Sequence, residues 1–135
     1  MAKATILVVD DEALIRWSLK ERLNAEGYAV REAETGQAAL EQLHEGIDLV
    51  LLDYRLPDSD GLSVLRKIKE FNPDILVIML TAYASVETAV EAMKHGAFLF
   101  AHKPFHLDEV AATVERALET TRLRPEADAE RLWIR

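Results

Sequence analysis

Residues 5–12 read TILVVDDE, a run of β-branched and aliphatic side chains that stops abruptly at acids. Such a run predicts a buried strand, and its acidic end predicts a loop at the surface. Residues 49–53, LVLLD, repeat the pattern. If the two strands are parallel, their aspartates meet at the same edge of the sheet.

The rest of the chain continues this alternation. Further apolar runs predict strands at residues 29–33, 75–80 and 97–101. Segments with helical spacing of apolar residues separate the strands, as at residues 86–93. Strict alternation predicts an α/β fold, a doubly wound five-stranded parallel sheet with right-handed crossovers and helices on both faces.

The length, net charge and cysteine content of the chain exclude several classes of protein. The 135 residues suit one domain, and the formal net charge of −8 argues against direct binding to nucleic acid. The absence of cysteine excludes disulfides and thiolate metal sites and fits a cytoplasmic location. The longest apolar run, residues 75–80, is too short for a membrane span, and we expect no association with a membrane.

Chemically useful side chains follow four of the predicted strands: Asp10, Asp11, Asp53, Thr81 and Lys103. Parallel strands bring their carboxyl ends to one edge, where ligands bind. Two carboxylates about 5 Å apart repel by roughly 3 kcal/mol at an effective dielectric constant near 20, so a cation is implied. Lys103 neutralises one charge, and Mg²⁺ with its preference for oxygen ligands suits the other two. This combination suggests phosphoryl transfer, with Asp53 as acceptor.

Four motifs resemble the receiver domains of bacterial two-component response regulators, over roughly residues 4–122. The motifs are ILVVDDE at 6–12, LLDYRLPDSDG at 51–61, MLTAY at 79–83 and KPF at 103–105. The resemblance implies a flavodoxin-like sheet with strand order 2-1-3-4-5. It also implies that a sensor histidine kinase donates a phosphoryl group to Asp53.

The resemblance assigns a metal site as well. Mg²⁺ would be bound by Asp11, Asp53 and the backbone carbonyl of Arg55, with Asp10 helping through water. Mg²⁺ is therefore the expected cofactor of a signalling domain that assists its own phosphorylation and dephosphorylation.

The remaining motif positions concern the phosphoryl group and the switch. Thr81 and Lys103 would hold the phosphoryl oxygens, and the Lys103–Pro104 bond would be cis. Phe100 occupies the position of the aromatic switch residue, which works together with Thr81.

Within the family, residues 81–98 look most like receivers of the nitrogen-regulation type. Those receivers commonly precede an AAA+ ATPase that acts at sigma-54 promoters and a DNA-binding domain, so a role in transcription control is implied. We expect a receiver domain at residues 1–122. Residues 123–135 read as a linker or the start of a linker helix, which favours a receiver from a longer regulator over a stand-alone one.

The fifth strand departs from the subgroup pattern. The chain reads Leu99-Phe100-Ala101-His102, where an acid, a tyrosine, a larger residue and a variable residue are usual. Edge strands are normally protected by charge, and the apolar run here invites another chain. We therefore expect a homodimer through the face of the fourth helix, the fifth strand and the fifth helix, strengthened on phosphorylation. The alternative is that the flanking helices cover this edge within the monomer.

Other classes fit less well. A haloacid-dehalogenase-type phosphatase needs a second acid where Arg55 stands, and a flavin carrier needs a hydroxyl- and glycine-rich loop where residues 10–12 are acidic. A Rossmann site and a Gly-Lys-Ser/Thr phosphate loop are absent from the sequence. The surviving alternative is a degenerate receiver that acts only as a protein-interaction module.

Overall fold

The computed structural model describes residues 2–82 and 85–134, with side chains through residue 120. Within that part of the chain, five strands alternate with five α-helices, and a short 3-10 helix, Leu43–Glu45, follows the second α-helix. The strands are β1 Thr5–Val9, β2 Ala29–Ala33, β3 Leu49–Leu52, β4 Leu76–Thr81 and β5 Leu99–His102. The helices are α1 Ala13–Ala25, α2 Gly36–Glu41, α3 Gly61–Phe71, α4 Val86–Lys94 and α5 Leu107–Ile134.

The strands form one parallel sheet in the order β2-β1-β3-β4-β5. This order confirms the doubly wound architecture and the order that the resemblance implied. β1 and β3 lie side by side at the centre, so that Val9 is in register with Leu52. The residues that follow these two strands, Asp10 and Asp53, therefore emerge next to each other.

Alternating side chains divide the sheet into two cores, because successive residues of a strand face opposite sides. Leu7 and Val9 pack in the core that α2, α3 and α4 cover. Ile6 and Val8 pack in the core that α1 and α5 cover. Both faces of the central strands are thus excluded from water, which explains their continuously apolar sequences.

Side-chain caps start three of the helices. Thr35 accepts a hydrogen bond from the N–H of Ala38 at the start of α2, and Asp60 accepts one from Ser63 at the start of α3. Ser85 caps α4 in the same way. Each cap satisfies a backbone donor that the first helical turn leaves unpaired.

β5 begins two residues later than predicted and ends one residue later, at Leu99–His102 instead of 97–101. Gly96 has a left-handed backbone (φ 98°) that ends the preceding helix. The N–H of Ala97 donates to the carbonyl of Ala92 at 3.0 Å, so this residue belongs to the turn. The parallel ladder then pairs Leu99 with Ile78.

α5 runs through the predicted domain boundary at residue 122. The side chains of 121–134 and the whole of Arg135 lie outside the described residues, so the linker at residues 123–135 stays a prediction. Among the described helices, none combines the length and apolar character that crossing a bilayer requires.

Candidate functional site

The candidate site lies at the carboxyl edge of the sheet, where the buried polar residues of the described chain are found. Asp10 follows β1 and is 3% exposed, and Asp53 follows β3 and is 6% exposed. Thr81 ends β4 and is fully buried. Polar groups are costly to bury without hydrogen-bond or charge partners, so the two buried aspartates require partners nearby.

Lys103 supplies the partner for both aspartates. Its Nζ lies 2.7 Å from Oδ2 of Asp10 and 3.2 Å from Oδ2 of Asp53. The lysine side chain is itself only 11% exposed. Its bond to Pro104 is cis, as the resemblance implies. One ammonium thus bridges two carboxylates that come from different strands.

The surroundings shift the proton affinities of this bridge. Burial raises the pKa of Asp53, as does the charge of Asp10, although Lys103 and the N–H of Arg55 favour the ionised form. Burial lowers the pKa of Lys103, but its hydrogen bond to Asp10 and the charges of both aspartates raise it by more. The lysine is therefore held in its charged form.

A cluster of acids continues from β1 into the next loop. Carboxylate oxygens of Asp10, Asp11 and Glu12 all lie within 4.8 Å of one another. The N–H of Glu12 also donates to Oδ1 of Asp10 at 2.9 Å. Glu12 was not among the residues expected at the site, although its position directly after the two aspartates is the signal for it.

A cleft of about 310 Å³ opens beside these acids. Its walls include Asp11, Asp53, Arg55 and Lys103 together with Ala82, which follows Thr81. Asp11, Glu12 and Asp53 contribute three carboxylates to the cleft, and carboxylate oxygens are hard donors of the kind that Mg²⁺ prefers. The donor set therefore fits this ion, and only one of its negative charges is balanced by Lys103.

The residues expected to act in switching lie on β4 and β5, which pair with each other at one end of the sheet. The backbone carbonyl of Thr81 accepts the N–H of Lys103 at 2.8 Å, which couples the end of β4 to the lysine. Phe100 on β5 is half-buried and packs against the core under α2, α3 and α4.

Arg16 supports the acidic loop and was missed by the sequence reasoning. Its Nη1 donates to the backbone carbonyl of Asp10 at 2.6 Å, and its Nε contacts Glu32 of β2 at 3.2 Å. A basic residue in the first turn of α1 could have signalled this role, because that turn starts beside the loop. The guanidinium fixes the backbone of the loop without neutralising the carboxylates in the cleft.

The comparisons with known proteins agree with this geometry. A family profile described as "Response regulator receiver domain" matches residues 6–115. The "Transcriptional regulatory protein ZraR" of Escherichia coli O157:H7 is 47% identical over 119 residues, which are 87% of this chain and 27% of that protein. The "DNA-binding transcriptional regulator NtrC" of Proteus hauseri is 43% identical over 119 residues, 87% of this chain and 25% of the relative. This chain thus spans about a quarter of the length of these relatives.

A solved structure gives the same result for the fold. The CheY-like response regulator receiver domain protein of Methanospirillum hungatei JF-1 matches with a TM-score of 0.87 and 32% identity, over 90% of this chain and 98% of that one. Together with NtrC among the relatives, this match confirms the expected resemblance, including its nitrogen-regulation type. The chain belongs to the response regulator receiver family.

Proposed function

We propose that this receiver domain accepts a phosphoryl group on Asp53 from a phosphohistidine of a sensor histidine kinase, in a Mg²⁺-dependent reaction. The observation that carries the proposal is the bridge of Lys103 between Asp10 and Asp53 at the mouth of an acidic cleft. The bridge places a fixed positive charge beside the carboxylate that would receive a phosphoryl group.

The transfer itself needs few groups. A carboxylate oxygen of Asp53 attacks phosphorus, the bond between phosphorus and the imidazole nitrogen breaks, and its electron pair leaves with the imidazole. The product is an acyl phosphate, so the charge at Asp53 grows from −1 to about −2. Lys103 and the hydroxyl of Thr81 are the donors that would hold the new oxygens, and such pre-placed donors stabilise charge as it develops.

The metal would be held by Asp11, Asp53 and the backbone carbonyl of Arg55, with Asp10 acting through water. When bound, Mg²⁺ neutralises charge on the phosphoryl oxygens. Lys103 balances one of the charges of Asp10, Asp11 and Asp53, and a divalent cation would balance the other two, while Glu12 adds one further negative charge to the cluster. A bound Mg²⁺ would therefore offset the repulsion among the carboxylates that crowd at this edge.

Phosphorylation would act as a signal. Thr81 would move toward the phosphoryl group, and Phe100 would turn inward to fill the space that is left. The receiver domain at residues 1–122 would pass this change through residues 123–135 to AAA+ and DNA-binding output domains. The family membership and the greater length of the relatives support this reading, as well as a cytoplasmic role in transcription control.

A homodimer through α4, β5 and α5 would be part of the active state. Val86, Val90 and Met93 expose apolar side chains along α4, and Val86 is 81% exposed. Leu99 on the adjacent edge strand is half-buried. Sedimentation of the phosphorylated protein should show weaker association for Leu99→Asp, whereas Phe71→Asp at the end of α3 should leave it unchanged. Equal association of both variants and the wild type would contradict this surface.

The acceptor is tested by intact-mass measurement after incubation with acetyl phosphate and Mg²⁺. The wild type should gain one phosphoryl group, and Asp53→Asn should gain none. If the wild-type mass does not change while the protein is folded and Mg²⁺ is saturating, the proposal is wrong. The chain would then act as a degenerate receiver, a module that binds proteins without being phosphorylated.

A further inference from the structure

Asp58 joins the loop after β3 to a different part of the molecule. Its Oδ1 accepts the N–H of Gly36 at 2.8 Å, and its Oδ2 accepts the N–H of Gln37 at 2.9 Å. Both donors lie in the first turn of α2, more than 20 residues earlier in the sequence. One carboxylate thus holds two backbone groups that the helix leaves unpaired.

The loop that carries Asp58 is closed on itself. The N–H of Leu56 donates to the carbonyl of Ser59 at 3.1 Å, and Arg55 and Asp60 form an isolated antiparallel bridge. The N–H of Gly61 donates to the carbonyl of Tyr54. The position of Asp58 is therefore coupled to the backbone of Arg55 through the hydrogen bonds of this short turn.

The contact between this loop and α2 is close. A Cβ added at Gly36 would meet Oγ of Ser59, and it would lie 2.9 Å from Cγ2 of Val64 and 3.3 Å from Oδ1 of Asp58. Glycine at this position lets α2 approach the loop within hydrogen-bonding distance. Ser59 adds a hydrogen bond between its hydroxyl and Oδ1 of Asp58 at 3.2 Å.

We propose that Asp58 is a positioning residue for the metal site, because its clamp on α2 holds the loop in which Arg55 presents its backbone carbonyl. This inference rests on the proposed function, since it concerns the same Mg²⁺ site. Asp58 itself lies outside the cleft and acts only through the backbone of Arg55. Groups that orient metal ligands commonly control the affinity for the metal.

Thr35 provides a matched control. Its hydroxyl caps the same end of α2 by accepting the N–H of Ala38 at 3.0 Å. Thr35→Ala therefore weakens the helix without removing the tie to the loop after β3. Asp58→Ala removes that tie, and Asp58→Asn retains one of the two acceptor oxygens.

The test measures Mg²⁺ affinity by isothermal titration calorimetry, without a phosphodonor. We expect Asp58→Ala to bind Mg²⁺ roughly tenfold more weakly than the wild type. Asp58→Asn should fall between the two, and Thr35→Ala should stay within about twofold of the wild type. With acetyl phosphate, the phosphorylation rate of Asp58→Ala should return to the wild-type rate once Mg²⁺ is saturating.

The outcomes separate the two proposals. If the wild type neither binds Mg²⁺ nor becomes phosphorylated, the proposed function is wrong and this inference falls with it. If the wild type does both, but Asp58→Ala and Thr35→Ala bind Mg²⁺ equally well, only the positioning role is wrong. A rate for Asp58→Ala that stays low at saturating Mg²⁺ would also contradict positioning through the metal site.

Discussion

The loops after β1 and after β3 are both rich in acids, yet they use them differently. In the first loop, the carboxylates of Asp10, Asp11 and Glu12 crowd within 4.8 Å of one another. In the second, Asp58 and Asp60 each accept hydrogen bonds from the start of a helix. Repulsion among the three carboxylates thus opposes folding in the first loop, although Lys103 offsets part of it through Asp10, whereas the two carboxylates of the second loop stabilise helices.

The two loops differ in the groups that lie next to their carboxylates. Carboxylates that face each other repel, and they are retained at a cost in stability where a ligand needs them. Carboxylates at a helix N-terminus meet unpaired N–H groups and the positive end of the helix dipole. Four substitutions test this contrast, and they are ordered from the largest expected effect to the smallest.

Lys103→Met should have the largest effect, because Asp10 and Asp53 would lose their shared cation while remaining buried. Removal of one partner from a buried ion pair costs about 3 kcal/mol or more. Urea unfolding in a metal chelator should show this loss in the free energy of unfolding. Lys94→Met, on the exposed surface of α4, should change stability by less than about 0.5 kcal/mol. Equal effects of the two variants would show that the bridge contributes nothing.

Asp60→Ala should destabilise the protein by about 1 to 2 kcal/mol, because α3 loses its N-cap. Its carboxylate accepts the N–H of Ser63 at 2.8 Å. Asparagine caps helices about as well as aspartate, so Asp60→Asn should lose only a few tenths of a kcal/mol. Chemical denaturation of the wild type, Asp60→Ala and Asp60→Asn measures these losses. Similar losses of stability for the two variants would show that the charge of Asp60, and not its capping hydrogen bond, is responsible.

Asp11→Asn should stabilise the metal-free protein by about 0.5 to 1 kcal/mol, since it relieves repulsion in an exposed acidic loop. It should also weaken Mg²⁺ binding. Thermal melts with a chelator and with Mg²⁺ measure both effects. Glu21→Gln removes an exposed acid from α1 and serves as the control. A lower melting temperature for Asp11→Asn in chelator would refute the repulsion argument.

The smallest effect concerns pH and Asp58. The backbone N–H groups of Gln37 and Gly36 hold the pKa of Asp58 below its ordinary value. A lowered pKa in the folded state adds stability above the unfolded pKa of about 3.9, and this stability is lost as the pH falls through the folded value. The stability advantage of the wild type over Asp58→Asn should therefore shrink between about pH 5 and pH 2. Urea unfolding across this range measures the difference, and a constant difference would contradict the assignment.

Much of the fold could be predicted because its signals are local. The predicted limits of the first three strands coincide with β1, β2 and β3. The fourth strand lies one residue later than predicted, at Leu76–Thr81 instead of 75–80. The fifth strand was displaced further, because the apolar residue Ala97 extends the hydrophobic run although its N–H bonds back to α4. A run of apolar residues in the sequence does not show where a buried turn ends and a buried strand begins.

The sequence by itself determined which residues stand at the ends of the strands, because an acid that interrupts an apolar run marks the point where a buried strand leaves the core. Only the tertiary structure decided how these residues pair. Lys103 meets Asp10 and Asp53 across 93 and 50 residues of chain, and Asp58 reaches α2 across 22. Such partners are chosen by strand order, register and helix packing, and a local pattern carries no information about those distances.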